Sequence, residues 1–127
     1  MQSHKDVVAF SSLVRIKIVF GKLGKNSEFQ KVYKDGKSKA NKYLVMVLIK
    51  REDGPNRYGF SVSRKVGNSV VRHRVTRLLR ESVRKNDARL KEGCNIVIIA
   101  RNAAKGRSFQ EIDSAVCHLC KLHGILK

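Results

Sequence analysis

The sequence has no tryptophan, a single proline and an aromatic fraction of 6%. A core in such a chain must be filled mostly by valine, isoleucine and leucine. Acid is also scarce, with 10 Asp and Glu against 28 Lys and Arg. No stretch approaches the roughly 18 apolar residues that a membrane helix needs. The run VVAFSSLVRIKIVF (7–20) is interrupted by Arg15 and Lys17 and lacks the arrangement of a signal peptide. Cysteine occurs three times, at Cys94, Cys117 and Cys120. An odd count argues against a disulfide framework and for a reducing compartment. The expected location is therefore the cytoplasm, with no membrane contact.

What is present is positive charge. The net charge is +18 on 127 residues, with a pI near 10.4. Such a balance is costly self-repulsion unless a polyanion neutralises it, and it points first to nucleic acid. A length of 127 residues fits one domain. The apolar runs YLVMVLI (43–49) and IVIIA (96–100) demand burial, which excludes a wholly disordered chain. Repeats and low-complexity linkers are absent.

The pattern predicts the element order helix, strand, strand, helix, strand, helix. SEFQKVYKDG (27–36) reads as a short helix capped by Ser27 with Gln30 and ended by Gly36. YLVMVLIK (43–50) is apolar on both alternating faces, so it reads as a strand covered on both sides. REDGPN (51–56) is a loop, and RYGFSVS (57–63) alternates as a strand. A helix runs from Asn68, its cap, to about residue 85. NIVIIA (95–100) is a buried strand. SFQEIDSAVCHLCKLHG (108–124) is a helix with a Ser108–Glu111 capping box, a Phe109, Ile112, Val116, Leu119 stripe, and Gly124 as its stop. Together these give an α/β (α+β) two-layer sandwich with a small mixed sheet, in which 57–100 forms a strand–helix–strand crossover unit.

The second helix carries the sharpest signal. On a helical wheel Val71, Val75, Leu78, Leu79 and Ser82 share one side, which would pack on the sheet. His73, Arg77, Arg80 and Arg84 follow i, i+4, i+7 and i+11 on the opposite side, flanked by Arg72 and Arg74. From Arg57 to Asp87 Glu81 is the only acid before Asp87 itself, against nine Lys and Arg. Like charges at i, i+4 weaken a helix, so stability alone does not explain the row. A helix about 27 Å long could follow several phosphates, and arginine's planar fork suits them. The preceding turn KVGN (65–68) brings Lys65 and backbone N–H groups of Asn68 and its neighbours to a helix N-terminus, where anions bind.

Read together, RYGFSVSRKVGNSVVRHRVTRLLRE (57–81) resembles the bacterial ribonuclease P protein family. The match comprises Arg57, Gly59, Ser61, Val62, Ser63, Lys65, Val66, Gly67, Asn68 and Val70, then Arg72, Arg74, Arg77, Arg80 and Glu81. EFQKVYKDGKSKANKYLVM (28–46) and NIVIIARNAAKGRSFQEI (95–112) extend it, so the resemblance covers about 22–125. It implies one RNA-binding domain at 22–127; residues 1–21 exceed what it accounts for and are expected to be an N-terminal extension, disordered and atypical of the family. It implies a left-handed crossover, against the usual rule, and a fold like the second domain of a ribosomal protein. The implied function is to bind a catalytic RNA that removes the 5′ leader of precursor tRNA with Mg²⁺, the metal held mainly by the RNA. The chemistry would lie with the RNA and the protein would supply no catalytic residue. No protein partner is required.

By position, the resemblance assigns Lys65, Asn68, Arg72, His73, Arg74, Arg77, Arg80 and Arg84 to RNA binding. It assigns Phe29, Tyr33 and Arg57 to a cleft for the leader, where rings could stack on unpaired bases. From the residues alone, Phe29 and Tyr33 read equally well as core. Three positions depart from the family. His73 replaces a central Asn, which changes the donors and acceptors on offer and could make RNA affinity pH-dependent. Thr76 replaces a Lys, and Val47 stands where a cleft aromatic is expected.

Other chemistry finds less support. Cys117 and Cys120 with His123 make half a zinc site, and Cys94 would have to join from another element. No serine, histidine and acid have nucleophile–base spacing, and the four histidines lack a paired carboxylate. The alternative function is a non-catalytic RNA-binding protein of ribosomal type. A helix-turn-helix reader is disfavoured because a strand, not a helix, precedes the basic helix.

Overall fold

The computed structural model describes residues 26–51 and 54–127. The expectations for residues 1–21, and for the run 7–20, lie outside the described residues. The elements are α1 (Asn26–Asp35), β1 (Lys37–Ala40), β2 (Leu44–Lys50), β3 (Arg57–Ser61), α2 (Ser69–Asn86), β4 (Cys94–Ala100) and α3 (Phe109–His123). The sheet order is β1-β2-β4-β3, with β4 antiparallel to β2 and parallel to β3. Parallel pairing of β3 with β4 requires the crossover that α2 supplies.

One strand was missed. β1 is KSKA and exposed along its whole length. It pairs antiparallel with β2 at the sheet edge, Ser38 opposite Val47. It has no apolar alternation because neither face is covered, and its lysines suit an edge that must not recruit another strand. Two boundaries also shift. α1 begins at Asn26, one residue before the expected cap Ser27. β3 stops at Ser61, although Val62 and Ser63 remain buried.

Strand alternation divides the interior. Leu44, Met46 and Leu48 of β2, Tyr58 and Phe60 of β3, and Ile96 and Ile98 of β4 face α2 and α3 in the larger core. Val47, Val97 and Ile99 face the other way, onto Phe29 and Val32 of α1. β2 and β4 are thus covered on both sides, which explains their unbroken apolar runs.

α2 and α3 are tied to each other as well as to the sheet. The Asp113 carboxylate of α3 accepts hydrogen bonds from Ser82 Oγ at 2.7 Å, Asn86 Nδ2 at 2.8 Å and Lys85 Nζ at 2.9 Å, all on α2. Ser82 and Asn86 are buried, so this carboxylate satisfies polar groups that would otherwise be costly. Burial raises the Asp113 pKa, but the hydrogen bonds from Lys85, Ser82 and Asn86 outweigh it and hold the group below its ordinary range. The C-terminal end of α2 is anchored likewise, because the Tyr58 hydroxyl donates to Asp87.

Candidate nucleic-acid interface

α2 starts where expected. Asn68 is extended (φ −71°, ψ −178°) and its Oδ1 accepts from Val71 N–H at 3.0 Å. The turn before it is tight, with Val66 N–H on Ser63 O at 3.0 Å and Lys65 N–H on Ser63 Oγ at 3.1 Å. Position 67 must be glycine, because a Cβ there would lie 2.7 Å from Val71 Cβ. The V-G-N spacing therefore fixes how closely the turn can enter the helix.

The inner side of α2 is anchored. Val75 and Leu79 are fully buried, Leu78 and Val83 nearly so, and Val71 is half-buried. This side packs on α3 as well as on the sheet, a neighbour the wheel could not name.

The outer side sorts the predicted residues into two groups. His73, Arg77 and Arg84 are exposed and Arg80 half-exposed, and they share the solvent face with Lys65 and Asn68 near the N-terminal turn. Arg72 and Arg74 are more enclosed. Arg74 Nη2 donates to Arg107 O at 3.0 Å, so part of this guanidinium is committed within the protein. Arg72 Nε is buried without a hydrogen-bond partner, and Thr76 Oγ1 donates to Arg72 O at 2.8 Å. Thr76 thus turns inward to the helix backbone rather than outward. The first turn contains no acid, so the positive end of the helix dipole is uncompensated by side chains there. Val70, in the same turn, is 75% exposed.

Sequence reasoning left out two contributors. Arg64 is exposed beside Lys65 and extends the charge into the turn; its adjacency to Lys65 was the available signal. Arg107 holds Arg74 through its carbonyl, a contact 33 residues apart that has no sequence trace.

The three residues assigned to the leader cleft differ in exposure. Phe29 is 3% exposed among Val32, Val47, Val97 and Ile99. It is a core residue of the α1 side and presents no open ring face, which favours the core reading for this ring. Its spacing with Tyr33 identified a shared helix face but not how deeply each ring sinks. Tyr33 is half-buried at the edge of the same cluster. Burial pushes its phenol pKa up despite the neighbouring Ser61 hydroxyl, so it remains a neutral O–H group. Arg57 is half-buried at the start of β3, opposite Asn95 of β4. Val47 is buried beneath α1, so an aromatic there would have to displace core.

The thiols are structural in character. Cys94 and Cys120 are buried and Cys117 is half-buried. Burial raises all three pKa values, that of Cys120 to about 12. A ring nitrogen of His123 lies 2.9 Å from Met46 O instead.

The family model described as Ribonuclease P matches residues 20–123. The chain belongs to the ribonuclease P protein family. It is 59% identical over 103 residues to the ribonuclease P protein component of Lachnoclostridium phytofermentans, covering 80% of this chain and 89% of that one. Against the component from Alkaliphilus oremlandii it is 49% identical over 100 residues, covering 79% and 88%. Among solved structures, the Staphylococcus aureus RNase P protein superposes with a TM-score of 0.76 at 31% identity, covering 84% of this chain and 97% of that one. The Thermotoga maritima RNase P protein gives 0.73 at 29%, covering 80% and 96%. The ribonuclease P fold is therefore an α+β body with α2 on its surface. No helix among the described residues is long and apolar enough to cross a membrane.

Proposed function

We propose that this chain is the RNA-binding subunit of a ribonucleoprotein that removes the 5′ leader from precursor tRNA. The observation that carries this reading is the strongly basic outer face of α2, with His73, Arg77, Arg80 and Arg84 around a single exposed acid, Glu81, on a firmly anchored helix. The exposed arginines pair with phosphates of the catalytic RNA, and Lys65 with the Asn68 turn adds contacts at the helix N-terminus. Each pairing releases condensed counterions, so affinity falls steeply with salt. Tyr33 and Arg57 border the face on which the leader lies, Tyr33 with its half-buried ring and Arg57 with its charge. Phe29 supports that face from beneath rather than stacking on a base.

The chemistry belongs to the RNA. Among the described residues no group of three His, Cys, Asp or Glu comes together to hold a metal. The role of the protein toward Mg²⁺ is to lower phosphate repulsion where the RNA binds that ion.

The test is reconstitution. The protein is added to the catalytic RNA at limiting Mg²⁺ and precursor-tRNA cleavage is followed. Cleavage should accelerate. Tight RNA binding without acceleration would instead point to a binding protein with no processing role.

A further inference from the structure

A groove of about 480 Å³ lies away from the outer face of α2, between the entry to β2 and the first turns of α3. Its volume is within the range of small-ligand sites. Tyr43 forms one wall, half-buried, with its hydroxyl 3.4 Å from Glu111 Oε2. Two cations lie over the ring, Lys42 Nζ at 5.7 Å and Arg107 Cζ at 5.5 Å from its centre, and a base stacking on Tyr43 would take the place of one of these long, mobile side chains as it swings to the phosphate. Ser114 and His118 of α3 also line the groove. Asn41 Nδ2 lies 3.2 Å from His118 Nδ1, and its amide also donates to Ala115 O at 3.0 Å. With Nδ1 accepting from Asn41, the neutral ring presents Nε2–H as a donor. Backbone and hydroxyl groups of Ser108, together with Arg107, hold the Glu111 carboxyl below its ordinary range, so it is an acceptor at neutral pH.

The groove thus combines a ring, two cations, an acceptor and a donor. That set fits a nucleotide better than a peptide or an apolar metabolite. The ring can stack on any base, the cations can pair with phosphate, and the carboxylate can accept from a base N–H. Arg107, whose guanidinium lies by the Tyr43 ring, also accepts Arg74 of α2 on its carbonyl at 3.0 Å, which ties this corner of the molecule to the basic helix. Arg101 adds a third cation at the rim, donating to Asn41 O at 2.8 Å.

We propose that this groove is a second RNA site, seating one unpaired nucleotide of a single-stranded segment with its base on Tyr43 and its phosphate against Lys42 and Arg107. The proposal rests on the RNA-binding reading of α2 and extends the contact surface beyond that helix.

The test titrates the full chain with hexauridylate and follows backbone amides and the Tyr43 ring by NMR. Saturable shifts at Tyr43, Gln110, Ser114 and His118, alongside those of α2, are expected. Ser114→Phe fills the groove from an exposed position without touching the core. It should abolish the groove shifts and weaken hexauridylate binding roughly fivefold or more, while the α2 shifts persist. Tyr43→Leu, which keeps apolar bulk, should do the same. Shifts confined to α2 would overturn the groove site and leave the α2 reading standing. Shifts at neither place would overturn both. Uridine monophosphate saturating the groove as tightly as the hexamer would mark a mononucleotide site and overturn its assignment to an RNA strand.

Discussion

α2 and α3 share one core but are stabilised differently. α3 is locally complete. Ser108 and Glu111 form a reciprocal capping box, Glu111 places an acid in the first turn, and Lys121 and His123 place basic groups in the last. Gly124 closes it in the left-handed region at φ 70°. Every local device favours the helix and its dipole. α2 has its Asn68 cap but no acid in its first turn, where Arg72, His73 and Arg74 soon follow. Its outer face repels itself. α2 therefore depends on what it buries and on the Asp113 hub, which leaves its outer face free for a polyanion.

The largest effects should come from removing that tertiary support. Leu79 is fully buried on α2, and Leu79→Ala should cost about 2–5 kcal/mol in urea unfolding. A loss under about 1 kcal/mol would mean that α2 holds itself, contrary to the comparison. Asp113→Ala comes next, at roughly 2–3 kcal/mol, because Ser82 and Asn86 stay buried without their acceptor.

The same carboxylate predicts a pH dependence. Its folded pKa lies below the unfolded value, so its contribution is present above the ordinary aspartate pKa of about 3.9 and is lost as pH falls through the folded value. Thermal melts of Asp113→Asn should show a smaller loss of stability on acidification below about pH 4 than the native chain. Equal acid sensitivity in both would remove Asp113 from the account.

Much of this contrast was legible in the sequence. The caps at Asn68, Ser108 and Gly124 are written in single residues with fixed offsets, and they formed as read. The basic row of α2 followed from helical spacing alone. What stayed hidden depends on neighbours far along the chain. KSKA has no strand alternation because nothing covers it. The insertion of β4 between β2 and β3 leaves no local mark. Phe29 and Tyr33 share a helix face, yet only the sheet beneath decides that one is buried and the other half-buried. Arg74 was indistinguishable from Arg77 until the Arg107 carbonyl was found beside it.

Smaller effects sharpen the contrast. Gly124→Ala forces a side chain into the left-handed region and should cost about 1 kcal/mol in the same unfolding assay. Replacing two exposed arginines of α2, Arg77→Gln with Arg84→Gln, should change stability by no more than about 0.5 kcal/mol. Relief of like-charge repulsion is offset by the loss of Arg84 from the last turn, where a cation suits the helix dipole.

That double variant provides the most direct measurement. Affinity for the catalytic RNA is determined across a series of salt concentrations for the native chain and for Arg77→Gln with Arg84→Gln. If each arginine neutralises one phosphate, the log–log slope should become shallower by about 1.4–1.8, with the melting temperature nearly unchanged. A folded variant with the native slope would contradict the claim that the outer face of α2 is the RNA-binding surface.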